Sequence, residues 1–524
     1  MKLFVITQCI YVAVVGAIAL MWPPAIWALG LVLPVCALAA HDLLQTRHSL
    51  QRNFPVFARM RWLMETLRPG VHQYFIENNK DGRPFDRERR SLVYQRAKGE
   101  RDTLAFGTEF RVYEAGYEWI NHAMLPATLV HDAPRVTIGN GRCKHPYSAS
   151  LLNVSAMSYG SLSKNAILAL NKGAHAGGFY HNTGEGGISP YHLEGGADLV
   201  WQLGTAYFGA RDEEGRFSPE KFRERASLPS VKMIEIKLSQ GAKPGHGGIL
   251  PASKLTPEII AIRGVVPGKD VISPPGHSAF DTPLGLIDFV ERLRQLSGGK
   301  PIGFKLCVGR PEDFIAIAKA MVERDIYPDF ISVDGAEGGT GAAPMEFSNS
   351  VGMPLKEGLT LVHNVLVGLG IREHIRIIAA GKSVSAFDLA RCLALGADLV
   401  NSARAMMFAL GCIQAQACNT NTCPAGVATQ DPKLTGGLVV ANKAPRVANY
   451  QKETVRTLLE VVAAAGLTHP NQLRPKHIMR RISAAQVASF AALYPAIEPG
   501  ALTRDEVPDF LKEAWDAATS SSFA

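Results

Sequence analysis

Cysteine is scarce in this sequence, and its few copies do not form a regular framework. The chain has eight cysteines among 524 residues. Cys9 and Cys36 lie in the apolar N-terminus, whereas Cys143, Cys307 and Cys392 are isolated along the rest of the chain. Disulfide-stapled secreted domains carry a much higher density of cysteine. The sequence therefore excludes a disulfide scaffold and indicates a reducing compartment.

Motifs for nucleic-acid binding are also missing, because no basic stretch is interleaved with aromatic residues. The chain has 55 basic and 47 acidic residues, which give a formal net charge of +8. Eight of the basic residues lie between Lys80 and Arg101, but acidic residues alternate with them. Such a stretch is typical of a solvated surface that can favour anionic lipid. We expect no nucleic-acid partner.

No Gly-x-Gly-x-x-Gly fingerprint follows the first predicted strand, and this disfavours a doubly wound dinucleotide-binding sheet. From about residue 150, short apolar runs end in glycine-rich turns and are followed by helical patterns. The eight runs are 151–156, 178–181, 233–238, 271–273, 302–306, 330–333, 375–379 and 398–401. This rhythm predicts an α/β fold, a (β/α)8 TIM barrel. A further run at 199–208 is interpreted as a hairpin insertion.

The N-terminus, by contrast, is rich in uncharged apolar residues. Residues 3–22 are long enough to span a bilayer, and residues 25–40 are marginal. With the Pro23-Pro24 break between them, they predict a transmembrane helical hairpin over residues 1–40. A cleaved signal peptide is the alternative, because residues 37–39 resemble a cleavage box.

Basic residues set the predicted orientation of this hairpin. Lys2 precedes it, and four arginines follow it at positions 47, 52, 59 and 61. The positive-inside rule places both flanks in the cytoplasm. We expect the protein at the inner (cytoplasmic) membrane, with its catalytic domain facing the cytoplasm.

Three of the cysteines lie within twelve residues, at Cys412, Cys418 and Cys423, and Pro424 follows the last. Thiolates select iron–sulfur clusters, zinc or copper, and a Cys-Pro ending is typical of iron–sulfur loops. The spacing predicts a metal or cluster site in this segment. Three buried or incidental thiols are the alternative.

Residues 411–430 read GCIQAQACNTNTCPAGVATQ and are preceded, in order, by SAMSYGSLS, NTGEGG, EIKLSQGAKPGHGG, VISPPGH, GFKL and DGAEGGTGAAP. These motifs resemble the FMN-binding central domain of the glutamate synthase large subunit, over about residues 150–430. The chain is similar to the membrane-anchored FMN-binding glutamate synthase family. The resemblance implies an oxidoreductase with FMN and an iron–sulfur cluster of the 3Fe–4S type. It would convert 2-oxoglutarate, or a similar 2-oxo acid, and ammonia to glutamate.

The resemblance also implies a division of the chain. The expected parts are the hairpin at 1–40, a region at 41–149 that wraps the barrel, the FMN-binding barrel at 150–410, the cluster loop at 411–430 and a mainly helical region at 431–524. Full-length glutamate synthases also carry a glutaminase domain and a β-helix domain, and neither is expected here. Ammonia would come from free ammonium or a separate glutaminase, and electrons from a donor protein or a membrane carrier.

Flavin contacts are expected at several strand ends. A (β/α)8 barrel usually binds phosphate after strands seven and eight, where glycine admits backbone N–H groups. With the resemblance, this rule assigns FMN binding to Ala156, Met157, Ser158, Gln240, Lys305, Gly338, Gly339, Gly381, Lys382, Ala403 and Arg404. A plain strand-to-helix turn at 380–383 and a flexible surface loop at 334–341 are the alternatives.

Charged residues within apolar runs are the candidate catalytic groups. Lys305 lies inside an apolar strand, where an unpaired charge is costly. Either reduced flavin or a core carboxylate would balance it. Glu235 and Lys237 alternate on the predicted third strand and should point to one face. We expect catalytic roles for Lys305, Lys237 and Glu185, the last as an acid/base or ammonia-orienting group; a structural Glu–Lys pair is the alternative.

Three further residues are substrate candidates: Lys243, His277 and Thr340. Lys243 lies in a loop that resembles the family's 2-oxoglutarate and flavin loop and would bind a substrate carboxylate. His277 could instead be a hydrogen-bonded structural residue. The chain departs from the family at Ala336-Glu337, where a His-Asp pair is usual, and at His246, where glutamate is frequent. The same chemistry with an alkylamine would give an N-alkylglutamate.

Two other classes of function stay open. A non-catalytic electron-relay or scaffold subunit of a membrane complex fits the predicted anchor, but the retained charges at Glu185, Lys237, Lys243 and Lys305 disfavour it. A hydroxy-acid oxidase would use a His/Arg pair at a late strand end, and no such pair is evident.

Overall fold

The computed structural model describes residues 2–128 and 132–524. They form two compact units, Met1–Arg87 and Glu88–Ala524.

The first unit is helical. Its helices are Lys2–Met21, Pro23–Ala28, Leu29–Leu44, Ser49–Asn53, Arg59–Val71 and His72–Ile76. Among the described residues, the stretch Pro23–Leu44 has the length and composition of a membrane span, and the shorter apolar helix Ile6–Met21 precedes it. The sequence had favoured the first run over the second. Cys36 Sγ lies 3.9 Å from Gln8 Oε1, so the two apolar helices are in contact.

The second unit contains a closed barrel of eight parallel strands. The strands are β1 Leu152–Val154, β2 His181–Asn182, β3 Leu199–Leu203, β4 Val231–Lys237, β5 Ile302–Leu306, β6 Phe330–Asp334, β7 Arg376–Ala380 and β8 Leu399–Ser402. Nearly every strand residue is buried, as expected for parallel strands covered by helices. The predicted (β/α)8 barrel is confirmed.

Two predicted strands were wrong. Residues 199–203 form β3 of the barrel and not a hairpin insertion. Residues Val271–Ile272 instead pair with Ile249–Leu250 in a separate antiparallel ribbon. The buried run 199–203 completes the closed ladder, whereas the 271–273 run is short and partly exposed. Glu235 and Lys237 therefore lie on the fourth strand.

An antiparallel ribbon, Val136–Ile138 with Tyr147–Ala149, closes the end of the barrel at which the strands begin. Its residues pack with Tyr180, Val200 and Met233 in one apolar cluster. This end of the barrel is therefore a packed core, and the polar residues collect at the opposite end.

Helices surround the barrel and extend beyond it. They are Arg87–Lys98, Lys164–Gly177, Pro190–Glu194, Pro219–Ala226, Pro257–Arg263, Pro283–Leu296, Pro311–Arg324, Met345–Ser350, Leu355–Gly368, Ala386–Ala394, Arg404–Leu410, Pro432–Thr435, Val440–Ala464, Phe490–Leu493 and Asp509–Ala517.

The C-terminal region is less helical than the sequence suggests. Strands Ile478–Arg481 and Val487–Ser489 form a three-stranded sheet with Glu118–Ile120. The chain near the C-terminus is hydrogen-bonded to the body of the unit. The Leu284 N–H donates to the Ser520 carbonyl at 3.2 Å.

Candidate active site

Two buried ion pairs lie side by side where the strands end. Lys237 on β4 and Lys305 on β5 are register partners. Their ammonium groups contact different carboxylates: Lys237 Nζ lies 2.8 Å from Glu185 Oε1, and Lys305 Nζ lies 3.0 Å from Asp334 Oδ2. The sequence analysis expected an anion beside Lys305 but did not name Asp334. The signal available was that Asp334 is a charged residue at the end of an apolar strand.

The Glu235 carboxylate is held by hydrogen bonds inside the barrel. Its Oε1 accepts from Asn182 Nδ2 at 2.8 Å and from Gln202 Nε2 at 2.6 Å, and its Oε2 accepts from the Ser332 hydroxyl at 2.5 Å. Buried charge is tolerated when it is fully hydrogen-bonded. Glu235 therefore supplies a fixed negative charge beneath the two lysines.

The charges in this cluster shift one another's pKa. Burial opposes the charged form of Lys305, but Asp334, Glu235 and Glu185 outweigh it and raise the pKa of Lys305. Burial would raise the pKa of Glu185, but Lys237, with Lys243 and Arg263, lowers it. Lys305 and Glu185 are therefore charged at neutral pH.

The loop after β4 lies against the loop after β6. A Cβ atom added at Gly241 would lie 1.7 Å from the Gly335 carbonyl oxygen, so only glycine fits there. The Gly241 N–H donates to Asp334 Oδ2 at 3.1 Å. This contact orients the carboxylate that pairs with Lys305.

Lys243 lies on the same loop and is buried. Its Nζ donates to the Ala342 carbonyl at 2.9 Å. Burial, together with the neighbouring Lys237 charge, lowers the pKa of Lys243 to about 8, while Glu185 opposes the shift. Lys243 is thus a cation close to its titration point.

Arg263 is a site residue that sequence reasoning missed. It ends the helix Pro257–Arg263 and is buried. Its Nη2 donates to the Tyr159 carbonyl at 3.0 Å, and its Nε has no hydrogen-bond partner among the residues that the structure describes. Its charge acts on Glu185. No motif signalled it, because a single arginine at a helix end is common in sequences.

The loops after β6 and β8 also meet. Arg404 Nη2 donates to the Glu337 carbonyl at 2.9 Å, and a Cβ added at Gly339 would lie 2.8 Å from Arg404 Nε. Burial lowers the pKa of Arg404 to about 10, which leaves it charged at neutral pH. A guanidinium against a glycine surface is a suitable wall for an anionic, planar ligand.

Other predicted flavin residues follow β7 and β8. After β7, Lys382 follows Gly381 with a φ of 45°, and the Ser383 hydroxyl donates to the Gly381 carbonyl at 3.3 Å. Ala403 precedes the helix Arg404–Leu410. The structure thus brings the β6, β7 and β8 ends to one region, as predicted.

The segment after β1 lies against the Glu185 loop. A Cβ added at Gly184 would lie 2.7 Å from the Ser158 backbone nitrogen, and the Ser158 hydroxyl donates to Ser161 Oγ at 3.0 Å. Met157 is buried and Ala156 half-buried. Gln240 is half-buried in the β4 loop, whereas Thr340 is exposed.

His277 has both ring nitrogens hydrogen-bonded. Nε2 donates to the Lys237 carbonyl at 2.9 Å, so Nδ1 accepts from the Tyr207 hydroxyl at 2.9 Å. Burial lowers the pKa of His277 to about 4. These contacts favour the structural alternative. A cavity of about 420 Å³ lies beside the ring, with Phe280 and Phe523 in its wall.

The three clustered cysteines are free thiols on an irregular loop. Gln414, Gln416 and Asn421 have φ values of 59°, 55° and 63°, which non-glycine residues rarely adopt. Burial raises the pKa of Cys412 to about 11, and the charges of Cys418 and Cys423 add to this. The three thiols are therefore close enough for the charge on one to shift the pKa of another.

A single-ion geometry is not found there. Within residues 2–128 and 132–524, no three His, Cys, Asp or Glu side chains are placed to hold one metal ion. An iron–sulfur cluster distributes its thiolate ligands over several iron atoms. The donor set, three thiols on one loop, fits such a cluster in its chemistry.

Hydrogen bonds join the cysteine loop, and Lys254 beside it, to the barrel mouth. Gln430 Nε2 donates to the Gly160 carbonyl at 3.1 Å, Asn421 Nδ2 to the Ser253 carbonyl at 2.9 Å, and Lys254 Nζ to the Ser161 carbonyl at 3.0 Å. The Cys418 and Cys423 charges act on the buried Lys254. The loop is thus fixed beside the β1 segment.

The family described as the conserved region in glutamate synthase matches residues 125–468. The chain belongs to the glutamate synthase family. This family region contains all eight strands, both ion pairs and the three cysteines, whereas the helical unit Met1–Arg87 lies outside it.

Individual relatives extend this result. The glutamate synthase large subunit-like protein YerD of Bacillus subtilis (strain 168) is 39% identical over 481 residues, covering 84% of this chain and 91% of YerD. The archaeal glutamate synthase (NADPH) of Methanocaldococcus jannaschii is 36% identical over 323 residues, covering 61% of this chain and 60% of that protein.

A solved structure of mandelate oxidase with (S)-2-phenylpropionate is 16% identical, at a TM-score of 0.43, covering 75% of this chain and 98% of that chain.

Proposed function

We propose that this glutamate synthase family member is an FMN- and iron–sulfur-dependent oxidoreductase that reductively aminates 2-oxoglutarate or a similar 2-oxo acid. The observation that carries the proposal is the pair of adjacent buried ion pairs, Lys237–Glu185 and Lys305–Asp334, at the barrel mouth. Membership of the family and the names of its relatives support it.

FMN would be held by the glycine surface at Gly338 and Gly339, by Arg404 and by the Gly381-Lys382 turn. The close approach of Gly339 to Arg404 supports this fit, because a side chain there would fill the space. When bound, FMN would supply the two-electron transfer. Lys305, held charged by Asp334, would stabilise negative charge next to it.

The substrate carboxylates would be bound by Lys243 and Arg263, two buried cations that donate to the Ala342 and Tyr159 carbonyls. Reductive amination of a 2-oxo acid consumes ammonia, two electrons and two protons and releases water. Glu185, held ionised by Lys237, would accept a hydrogen bond from the ammonia nitrogen and orient it towards the 2-oxo carbon. The Glu185 carboxylate lies so close to Gly204 and Gly248 that a side chain at either position would overlap it.

Cys412, Cys418 and Cys423 would hold the cluster, which supplies one-electron transfer when bound. The hydrogen bonds from Gln430 and Lys254 to the β1 segment support an electron route from this loop to the barrel mouth. The donor would be a protein or a membrane carrier, and the amine would come from free ammonium or a separate glutaminase.

The helices of the first unit would anchor the protein as a hairpin in the cytoplasmic membrane, with the barrel in the cytoplasm. The length and composition of Pro23–Leu44 and the arginines after it support this orientation.

Anaerobic reduction of the detergent-solubilised full chain tests the function. The flavin spectrum and the cluster EPR signal are recorded, and 2-oxoglutarate with ammonium is then added. Flavin reoxidation with formation of glutamate is expected. Reoxidation only with an alkylamine would identify an N-alkylglutamate synthase. If neither ammonium nor an alkylamine reoxidises the flavin, the synthase assignment is overturned in favour of a relay subunit. Absence of both FMN and the cluster would refute the proposed oxidoreductase function.

The matched variants are Lys305→Met and the surface control Lys172→Met, whose side chain pairs with Glu194. We expect slow flavin reoxidation in Lys305→Met and normal reoxidation in Lys172→Met.

A further inference from the structure

The helix Arg59–Val71 presents an apolar face that is largely exposed. The face repeats at helical spacing and consists of Met60, Leu63, Met64, Leu67 and Val71. These side chains are between 44% and 58% exposed. No residue of this helix is buried. A helix in water ordinarily buries such a stripe against its own fold.

The exposed apolar surface continues on both sides of the helix. Phe54 and Phe57 precede it, and Tyr74, Phe75 and Ile76 follow it, all at least 60% exposed. We call residues 54–76 the surface segment. Large exposed apolar patches mark interaction sites, because a monomer in water rarely tolerates them.

The charge around the surface segment is mainly positive. Residues 45–76 contain five arginines, at positions 47, 52, 59, 61 and 68, and one carboxylate, Glu65. The net charge is therefore 5 − 1 = +4. At helical spacing, Arg61, Glu65 and Arg68 flank the apolar stripe on one side, and Arg68 Nη1 is 4.0 Å from Glu65 Oε2. Arginines that flank an apolar helix face are a pattern of helices that lie in an anionic lipid surface.

A buried ion pair fixes the start of this helix to the end of the preceding apolar helix. Arg59 Nη2 lies 2.6 Å from Asp42 Oδ1, and Arg59 Nε lies 3.0 Å from Asp42 Oδ2. The Val56 N–H donates to the same carboxylate at 2.9 Å. Asp42 is near the end of Pro23–Leu44, the stretch with the length of a membrane span. The surface segment therefore begins where a spanning helix would leave the bilayer.

We propose that residues 54–76 form an interfacial element, with the apolar face of Arg59–Val71 inserted into the anionic surface of a lipid bilayer and its arginines at the headgroups. A second copy of this chain fits less well. In a symmetric pair the same arginine-rich segment would face itself, and like charges would repel.

Photo-crosslinking in the full chain tests this placement. Benzoylphenylalanine is introduced in place of Met64 on the apolar face, and in place of Glu65 on the polar face as the matched control. Both proteins are reconstituted into phosphatidylcholine vesicles with and without phosphatidylglycerol, and adducts are identified by mass. In anionic vesicles, lipid adducts at position 64 should exceed those at position 65 by about fivefold or more. The yield at position 64 should fall severalfold in neutral vesicles.

Each other outcome overturns the proposal. Adducts from position 64 to a second copy would make the face a dimer interface. Adducts to residues 88–524 would show that it packs on the same chain. Equal lipid yields at both positions, or none, would exclude an oriented interfacial helix. Circular dichroism of both variants confirms that they are folded.

Discussion

At the scale of single residues, the candidate site depends on how buried charges are paired. Lys305 would be costly inside a barrel strand if it were alone. Asp334 lies 3.0 Å away and Glu235 lies beneath it, so its charge is retained. The pair is tied to the backbone through Gly241.

Substitution of Lys305 tests its catalytic role. Lys305→Ala should slow flavin turnover by about 10²–10³-fold, because a charge that stabilises developing negative charge is lost. The protein should stay folded, since Asp334 can become protonated. Rapid-mixing flavin kinetics measures the effect, with Lys172→Ala as a surface control. Unchanged turnover would remove Lys305 from the mechanism.

Lys243 predicts a pH dependence. Its pKa is lowered to about 8, so the ammonium is present below that pH and is lost as the pH rises through it. The KM for the 2-oxo acid should therefore increase above about pH 8, by up to tenfold per pH unit, with a smaller change in kcat. Steady-state kinetics from pH 6 to pH 10 checks this. Lys243→Met should raise KM below about pH 8, where the ammonium is present, and flatten the profile; a profile unaltered by that change would contradict the assignment.

At the scale of elements, contacts between loops create the site. Gly241 and Gly335 bring the β4 and β6 loops together, and Arg404 joins the β6 loop to the β8 end. The cysteine loop is attached to the β1 segment by Gln430. Each of these contacts joins strands that are distant in sequence.

The Gly241 contact can be tested by adding one methyl group. In Gly241→Ala the new Cβ would overlap the Gly335 carbonyl, and separation of the loops would weaken the hydrogen bond to Asp334. We expect bound flavin to fall and stability to drop by about 1–3 kcal/mol. Flavin absorbance and denaturant unfolding measure these effects. Gly341→Ala is the control, because its Cβ would have no neighbour within 4 Å.

Substitution of Lys254 tests whether the cysteine loop holds a cluster. It is a buried cation on which the Cys418 and Cys423 charges act. If the proposed cluster is bound, Lys254→Met should shift its potential to more negative values by tens of millivolts, since the charge around a cluster sets its potential. Redox titration followed by EPR measures the shift, with the exposed Lys433→Met as control. Equal potentials in both variants would mean that Lys254 has no influence on the cluster.

At the scale of the whole second unit, Glu118 links three parts of the chain. It lies on the strand Glu118–Ile120, and its carboxylate contacts Lys356, Arg391 and Arg480. Burial would raise its pKa, but Arg391 and Lys356 lower it. The stability from this group is therefore present above its unfolded pKa and is lost as the pH falls through the folded one.

Removal of this carboxylate should destabilise the unit as a whole. Glu118→Gln removes the carboxylate that pairs with Lys356 and Arg391, although Arg391 keeps its ion pair with Asp388. We expect a loss of about 3–5 kcal/mol in the free energy of unfolding. Denaturant unfolding at neutral pH measures it. Glu114→Gln is the control, because Glu114 pairs with Arg111 at the surface. The difference between the two variants should shrink in acid, where Glu118 is protonated in both folded and unfolded chains.

The sequence by itself determined the family and the barrel. The order of the glycine-rich motifs, the lysine inside an apolar strand and the three close cysteines are local patterns, and each reports a local requirement of the fold. Only the tertiary structure decided that residues 199–203 complete the barrel while 271–272 pair elsewhere, because strand pairing depends on distant partners. It also decided that Arg263 and Asp334 belong to the site, and that the apolar face of Arg59–Val71 is exposed. Burial and ion pairing depend on which distant segments meet, and no local pattern contains that information.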